Sequence, residues 1–351
     1  MTNNAKTEIV ATIGIDLGKN TFHICGMNAC GVVVLRQKFS RRRLGQQLAN
    51  LPPCLIGMEA CAGAHYIGRH LTTLGHDVRL IPAQYVKPFL KGHKNDSRDA
   101  EAIAEAVQRP TMRFVPLKSA DQIDLQALHR VRSRLVGQRT AVINQIRGFL
   151  LEHGITVRQG PAGLRQALPT ILAQRSDVLA PRIMHLIEDL AEDWHRLDTR
   201  VDDVTREIVQ LARQDENCKR LQGVPGVGPL TASAVVAAIG NGAAFAKGRD
   251  FSSWLGLVPK QISTGGRTIL GSISRRGNRY LRTLFVQGAR SVLLATKNLS
   301  KHELGRWLAA AAPRLHRNVL AIALANKLAR IAWSVLHSGR GYEVNFKNHV
   351  A

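Results

Sequence analysis

Residues 9–16 read Ile9-Val10-Ala11-Thr12-Ile13-Gly14-Ile15-Asp16, a β-rich run that ends on a carboxylate. β-Branched side chains dominate it, which predicts an extended strand. Residues 21–25 and 32–39 read as two more strands, with Asn28-Ala29-Cys30-Gly31 as the turn between them. A helix over residues 43–51 stops at Pro52-Pro53. Residues 54–58 predict a short buried strand that ends at Glu59. Residues 65–74 predict a helix closed by Gly75, and residues 78–81 a further strand. Asp96 then opens a helix that runs to about Gln108, where Arg109-Pro110 ends it.

Three strands in a meander, followed by alternating helix and strand, is the element order of an RNase H-like (RuvC-like) domain, here over residues 8–117. The repeated βαβ order of a dinucleotide-binding fold is absent. Asp16-Leu17-Gly18-Lys19 offers no G-x-G-x-x-G, so no nucleotide cofactor is expected.

Beyond this the chain reads as all-α. Over residues 118–218, Leu125, Leu128, Val131 and Leu135 recur at helical spacing. So do Ile183, Leu186, Leu190, Trp194, Leu197, Val201, Val204, Ile208 and Leu211, with charged residues between them. The 3–4 spacing predicts a helical hairpin or coiled coil, within one chain or between chains. Residues 154–169 read as a Gly/Pro-containing linker between its arms. Residues 219–340 predict a compact basic helical domain. In it Leu221-Gln222-Gly223-Val224-Pro225-Gly226-Val227-Gly228-Pro229 leads into an apolar helix, a helix-hairpin-helix pattern. Gly226 and Gly228 would let the backbone approach a phosphate, and the following helix would present its N–H groups. An ordinary tight turn before a buried helix is the alternative.

The 351 residues suit two or three domains, and 45% hydrophobic residues supply real cores. Charge is the outlier: 49 Lys and Arg against 25 Asp and Glu, a net +24. Such a chain repels itself unless a polyanion neutralises it, which points to nucleic acid rather than a membrane surface. Residues 219–351 carry 20 Lys and Arg but only Asp250, Glu303 and Glu343 on the acidic side, a net +17. The middle instead holds the acidic runs Glu188-Asp189 and Glu192-Asp193. Five cysteines, an odd number with no C-x-x-C pair, argue against a disulfide framework or structural zinc and fit a reducing cytoplasm. No signal peptide is read at the N-terminus. The most apolar run, residues 319–336, is interrupted by Asn326, Lys327 and Arg330, so no membrane span is expected.

Four carboxylates stand out by position. Asp16 and Glu59 end strands, and Asp96 and Asp99 lie three apart at a helix start, on one face. Hard divalent cations need several oxygens converging from different elements, and two such ions can clamp the attacking and leaving oxygens of a phosphodiester. Singly, each has a plainer reading. Asp16 suits a turn cap, Asp96 an N-cap, and Asp99 complements the helix dipole.

Gly14-Ile15-Asp16, Met58-Glu59-Ala60-Cys61-Ala62-Gly63 and Lys94-Asn95-Asp96-Ser97-Arg98-Asp99-Ala100 resemble the three acidic motifs of the DEDD transposases of insertion sequences. That family includes the Piv DNA invertase and the bridge-RNA-guided recombinases. Phe251-Ser252-Ser253-Trp254-Leu255-Gly256-Leu257-Val258-Pro259, Ser263-Thr264-Gly265-Gly266, and Leu270-Gly271-Ser272-Ile273-Ser274-Arg275-Arg276-Gly277-Asn278 followed by Tyr280-Leu281-Arg282 resemble its C-terminal half, in the same order. The resemblance implies Mg²⁺ held by Asp16, Glu59, Asp96 and Asp99. It also implies a serine nucleophile in the 263–266 loop, a phosphoserine link to DNA, and a composite site shared between subunits. Donor and target DNA, a structured non-coding (bridge) RNA and a tetramer built from two dimers are the implied partners, in a bacterial, nucleoid-associated setting. Ser263 is the preferred nucleophile, since a primary hydroxyl is less hindered than that of the adjoining Thr264. Tyr280 is a rival by chemistry alone. Arg267, Arg275, Arg276, Arg279 and Arg282 are expected phosphate contacts, with solvated surface charge as the alternative.

Two other functions fit part of this pattern. A RuvC-like structure-specific endonuclease of the Holliday-junction resolvase type would use the carboxylates and water but leave the C-terminal third unexplained. A nucleic-acid-binding protein with an inactive nuclease fold is opposed by the complete acidic quartet.

Overall fold

The computed structural model of the protein describes residues 9–90, 96–174, 178–295 and 303–343. The chain forms two compact units, Met1–Ala120 and Asp121–Ala351.

The first unit contains β1 (Thr12–Leu17), β2 (Thr21–Met27), β3 (Val33–Ser40), α1 (Arg41–Ala49), β4 (Leu55–Glu59), α2 (Ala64–Thr73), β5 (Asp77–Ile81), the single turn α3 (Ala83–Val86) and α4 (Asp96–Val107). Its five-stranded sheet has the order β3-β2-β1-β4-β5. β1, β2 and β3 pair antiparallel as the expected meander, while β1, β4 and β5 run parallel. The α/β unit with helices on both faces agrees with the expected RNase H-like order. β1 starts three residues later than the sequence reading and continues to Leu17, so Asp16 lies inside the strand.

Alternation along the strands divides the core in two. Ile13, Ile15, Ile56 and Met58 face α1 and α2, packing with Leu44, Leu48, Ile67 and Leu71. Gly14 and Gly57 face α4. A Cβ on Gly14 would stand 2.1 Å from the carbonyl oxygen of Ala100 and 2.4 Å from the amide nitrogen of Ala104. One on Gly57 would stand 2.8 Å from Val107 Cβ. The helix therefore lies directly on the sheet, seated by glycines below and by Ala100 and Ala104 above.

The second unit contains α5 (Ala120–Glu152, starting at the unit boundary), α6 (Pro161–Gln174), α7 (Pro181–Gln214), α8 (Glu216–Gln222), α9 (Pro229–Ile239), α10 (Gly248–Trp254), the ribbon β6 (Pro259–Thr264) and β7 (Arg267–Ile273), α11 (Arg279–Leu294), α12 (Glu303–Ala311) and α13 (Arg317–Ser338). α5 and α7 run antiparallel. Arg132 Nε donates to Thr205 Oγ1 at 2.7 Å, and Arg139 pairs with Asp198 at 3.0 Å, a step of seven residues on each helix in opposite senses. The buried residues of α7 are Ile187, Trp194, Val201 and Ile208, a strict heptad, with Ala212 after them. The rest of the predicted apolar series is less covered: Leu197 is half-buried, and Leu186 and Leu211 are exposed.

Part of the expected 154–169 linker is helix α6, with Pro169 inside it. Leu164 and Leu168, one turn apart, bury against Ile143, Ile146 and Leu150 of α5 and Ile187 and Trp194 of α7. That burial outweighs the hydrogen bond that Pro169 removes. α13 has the length and apolarity of a membrane span. It serves as the central core helix of this unit, burying Leu320, Leu324, Leu328, Ala332 and Val335.

A buried polar cluster links α5, α9 and α11. His129 is 3% exposed; its Nε2 is 3.0 Å from Ser233 Oγ and its Nδ1 3.0 Å from Tyr280 Oη. Ser233 spends its proton on the Pro229 carbonyl at 2.7 Å. Ser233 must then accept from His129 Nε2–H, and Tyr280 O–H donates to Nδ1. The imidazole is neutral: burial, aided by Arg132, pushes its pKa down to about 4. Tyr280 is thus engaged in holding α11, and burial raises its own pKa, so the phenol keeps its proton.

Two predictions follow from this packing. Gly14→Ala should destabilise the first unit by about 3 kcal/mol, the upper part of the overpacking range, because the obstruction is backbone. Gly137→Ala, with open space around it in α5, should instead stabilise by about 0.5–1 kcal/mol. Calorimetric melting of both variants tests the contrast. Since the folded pKa of His129 lies below its unfolded value of 6.5, its contribution is complete above that pH and is lost as pH falls toward 4. The loss should reach up to about 3 kcal/mol. Urea titrations across that window should show the slope in the native chain and a shallower one in His129→Gln.

Candidate active site

The carboxylates follow from the strand alternation just described. Asp16 lies two residues beyond Gly14 and Glu59 two beyond Gly57, so both belong to the α4 face of neighbouring parallel strands. Asp96 and Asp99 form the first turn of α4, immediately before the Ala100 that rests on Gly14. Seating the helix on the glycine therefore brings its acidic turn to Asp16. Asp16, Asp96 and Asp99 each offer an oxygen within 4.8 Å of the others. Glu59 is not one of that trio, although its charge reaches Asp16. Lys94 and Asn95 of the third acidic motif lie outside the described residues.

The electrostatics fit a cation. Burial raises the pKa of Asp16, Asp99 and Asp96 raise it further, His23 opposes them, and Glu59 adds the smallest push. Converging carboxylates that repel one another, all oxygen donors, suit a hard divalent ion. His23 is a member of this site that sequence reasoning missed. It is the direct cross-strand partner of Asp16, and its Nδ1 is 3.6 Å from Asp96 Oδ2. Only the β1–β2 register reveals it. The Gly-x-acid pattern shared by Gly14-Ile15-Asp16 and Gly57-Met58-Glu59 is the sequence signal for this pairing of close helix approach and carboxylate.

In the second unit Ser263 sits on the β6–β7 ribbon, whose residues are exposed except for Ile273. The turn is Gly265-Gly266, with φ of +52° and +75°. Two successive left-handed residues match the twist of a tight hairpin, which glycine adopts without strain. Ser263 pairs with Thr268, and Thr264 with Arg267. Neighbouring positions on a strand face opposite ways, so the two candidate hydroxyls lie on different faces. Ser263 Oγ accepts from Gln261 Nε2 at 3.1 Å and lies 3.5 Å from Thr268 Oγ1. Thr264 shares its face with Arg267, Ile262 and Ile269.

The arginines divide by what they touch. Arg267, Arg275, Arg276 and Arg279 are exposed. Arg275 has φ +55°, the one positive φ outside glycine among the described residues; its N–H donates to the Gly256 carbonyl at 3.2 Å. The loop around it presses on the α10 C-terminus, where a Cβ on Gly277 would stand 1.7 Å from the Trp254 oxygen. Arg282 braces that loop, donating to the Leu255 carbonyl at 2.8 Å. Burial, then Arg279 and Arg275, lower its pKa, the mark of crowded positive charge that an anion would relieve. Gly226 is committed to packing: at φ +76°, a Cβ there would stand 2.6 Å from the Gly288 oxygen of α11. Gly228, the residue before α9, is exposed with open space about it.

Known proteins share this arrangement along the chain. Residues 13–155 match the DEDD transposase domain of the IS110 type, and residues 218–303 match the transposase IS116/IS110/IS902 family. A probable family 20 transposase of Pseudomonas aeruginosa is 46% identical over 93% of this chain and 97% of its own length. The transposase of insertion sequence element IS1328 from Yersinia enterocolitica is 44% identical over 94% of this chain and 98% of its own. That of IS1111A from Coxiella burnetii is 40% identical over 93% and 90%. With identity of this order over nearly its whole length, the chain belongs to the IS110/IS116 family of insertion-sequence transposases, enzymes that cut and transfer DNA strands.

Proposed function

We propose that the protein is an RNA-guided recombinase of an insertion sequence that breaks and rejoins DNA through a phosphoserine link. The observation that carries this reading is the convergence of Asp16, Asp96 and Asp99 on one point in a transposase of this family. Asp16, Glu59, Asp96 and Asp99 would hold Mg²⁺, which when bound polarises the scissile phosphate and neutralises charge that builds on its oxygens.

Ser263 Oγ would attack phosphorus. A P–Oγ ester forms, one P–O bond of the strand breaks, the hydroxyl proton passes to solvent or a nearby base, and the departing strand oxygen leaves as a hydroxyl. Attack by another strand's hydroxyl on the same phosphorus reverses the sequence and joins the new partner. Gln261, donating to Ser263 Oγ, orients the nucleophile. Arg267, Arg275, Arg276 and Arg279 would hold flanking phosphates, with Arg282 fixing their loop. The turn through Gly226 and Gly228 would offer backbone amides to another phosphate.

Charge supports the partners. A net +17 over residues 219–351 suits donor and target DNA together with a structured bridge RNA. A tetramer built from two dimers belongs to the same reading. The half-buried Leu190, Leu197 and Val204 and the exposed Leu211, a second heptad on α7, support a helix–helix contact between subunits. Cleavage by metal-activated water alone, as in a junction resolvase, is the second reading, favoured by the acidic cluster taken by itself.

Two experiments test these points. Divalent cation should stabilise the native chain, by about 2.7 kcal/mol at a hundredfold excess over Kd, and leave the melting of Asp16→Asn and Asp99→Asn unmoved. Because the folded pKa of Asp16 is raised, the metal-free protein loses stability as pH rises through that titration. Asp16→Asn without metal should therefore melt no lower than the native chain at neutral pH. Equal metal stabilisation in all three proteins would remove the metal centre. For the nucleophile, denaturing gels with labelled DNA and the RNA should show a covalent adduct in the native chain and Thr264→Ala, and none in Ser263→Ala. Strand cleavage with no adduct in any protein would establish the water mechanism.

A further inference from the structure

The β6–β7 ribbon is built to be covered. All six residues of β6 and the first six of β7 are exposed. Among them, Ile262 is 61%, Ile269 47% and Leu270 65% exposed. A two-stranded ribbon is marginally stable alone in water, and large apolar side chains on it are costly to leave wet. Ile262 and Ile269 are direct cross-strand partners, so they form one apolar patch. The opposite face carries Ser263, Thr268, Gln261 and Leu270, while Thr264 and Arg267 flank the isoleucine pair on its own face.

Charge selects the occupant. No acidic residue occurs between Asp250 and Glu303, while Lys260, Arg267, Arg275, Arg276, Arg279 and Arg282 surround the ribbon in sequence. A second copy of the ribbon would bring like charges together, whereas DNA offers stacked apolar bases between anionic backbones. We propose that the ribbon acts as a wedge in the DNA. The Ile262–Ile269 patch packs against bases it has unstacked, while the opposite face, which bears Ser263, meets the backbone of the strand to be cut. Apolar side chains inserted at a base step unstack it, a cost that the added contact repays. An apolar pair on one face and Ser263 on the other face of one thin ribbon suit this task, because exchange of strands requires bases to be freed where a phosphate is attacked. This inference rests on the assignment of Ser263 as nucleophile.

The test uses the full chain and two DNA probes of mixed sequence, a fully paired duplex and the same duplex with a central unpaired bubble. A wedge finds the unstacking already done in the bubble, so the native chain should prefer it by about tenfold or more. Ile262→Ser combined with Ile269→Ser should abolish the preference with the salt dependence of binding unchanged, since no phosphate contact is lost. Lys260→Ala with Arg267→Ala should flatten the salt dependence and keep the preference. Ser263→Ala should keep both, so loss of the adduct and loss of the preference are read separately. Equal affinity of the native chain for both probes, or a preference that survives in the double serine variant, overturns the wedge. A double serine variant with unchanged preference but reduced mass in light scattering would make the patch a contact between copies instead.

Discussion

Helix α4 rests on Gly14 with its backbone where any side chain would have to go, and the rest of the first unit depends on that contact. A helix held at ordinary distance by a Val or Leu would keep Asp96 and Asp99 away from the strand. With glycine in β1 and alanines at positions 100 and 104, the helix seats on the sheet, and its first turn projects past Gly14 to Asp16. Burial, and then the repulsion from Asp99 and Asp96, raise the pKa of Asp16. The close helix packing offsets that repulsion, and a cation would use it.

The second unit uses the same device for a different purpose. Gly226 against Gly288, Gly256 against Arg276, and Gly277 against Trp254 are all crossings at which backbone meets backbone. They fasten the arginine-bearing loop to the helical core with little slack, and Arg282 adds a side-chain brace. The buried His129 and Ser233 and the half-buried Tyr280 tie the first turn of α11 to the same core. The ribbon projects from this rigid base with little covering of its own. A firm platform carrying an exposed ribbon suits chemistry on a large, stiff substrate such as duplex DNA.

Where sequence expectation and structure part, the reason is packing at long range. Gly and Pro content made residues 154–169 read as linker, but Leu164 and Leu168 found a groove between α5 and α7 and turned much of it into helix. The apolar series on α7 contained two stripes that sequence alone could not separate. The heptad through Ile187, Trp194, Val201 and Ile208 is buried, while its neighbours stay half-covered. Gly226, read as a phosphate-binding glycine, also lies where α11 crosses the turn. In each case the partner that an element packs against decided its role.

The sequence by itself determined the succession of elements in the first unit, the positions of its carboxylates at strand ends and a helix start, the basic character of the C-terminal third, and the family. These are legible because hydrophobic period, turn residues and charge are local properties of a chain. Only the tertiary structure decided which carboxylates converge, that His23 stands among them, and that Ser263 and Thr264 face opposite ways. Those facts depend on strand register, on how closely a helix approaches a sheet and on which side of a ribbon a residue falls. Such relations are set between residues distant in sequence, by what fits when their backbones meet.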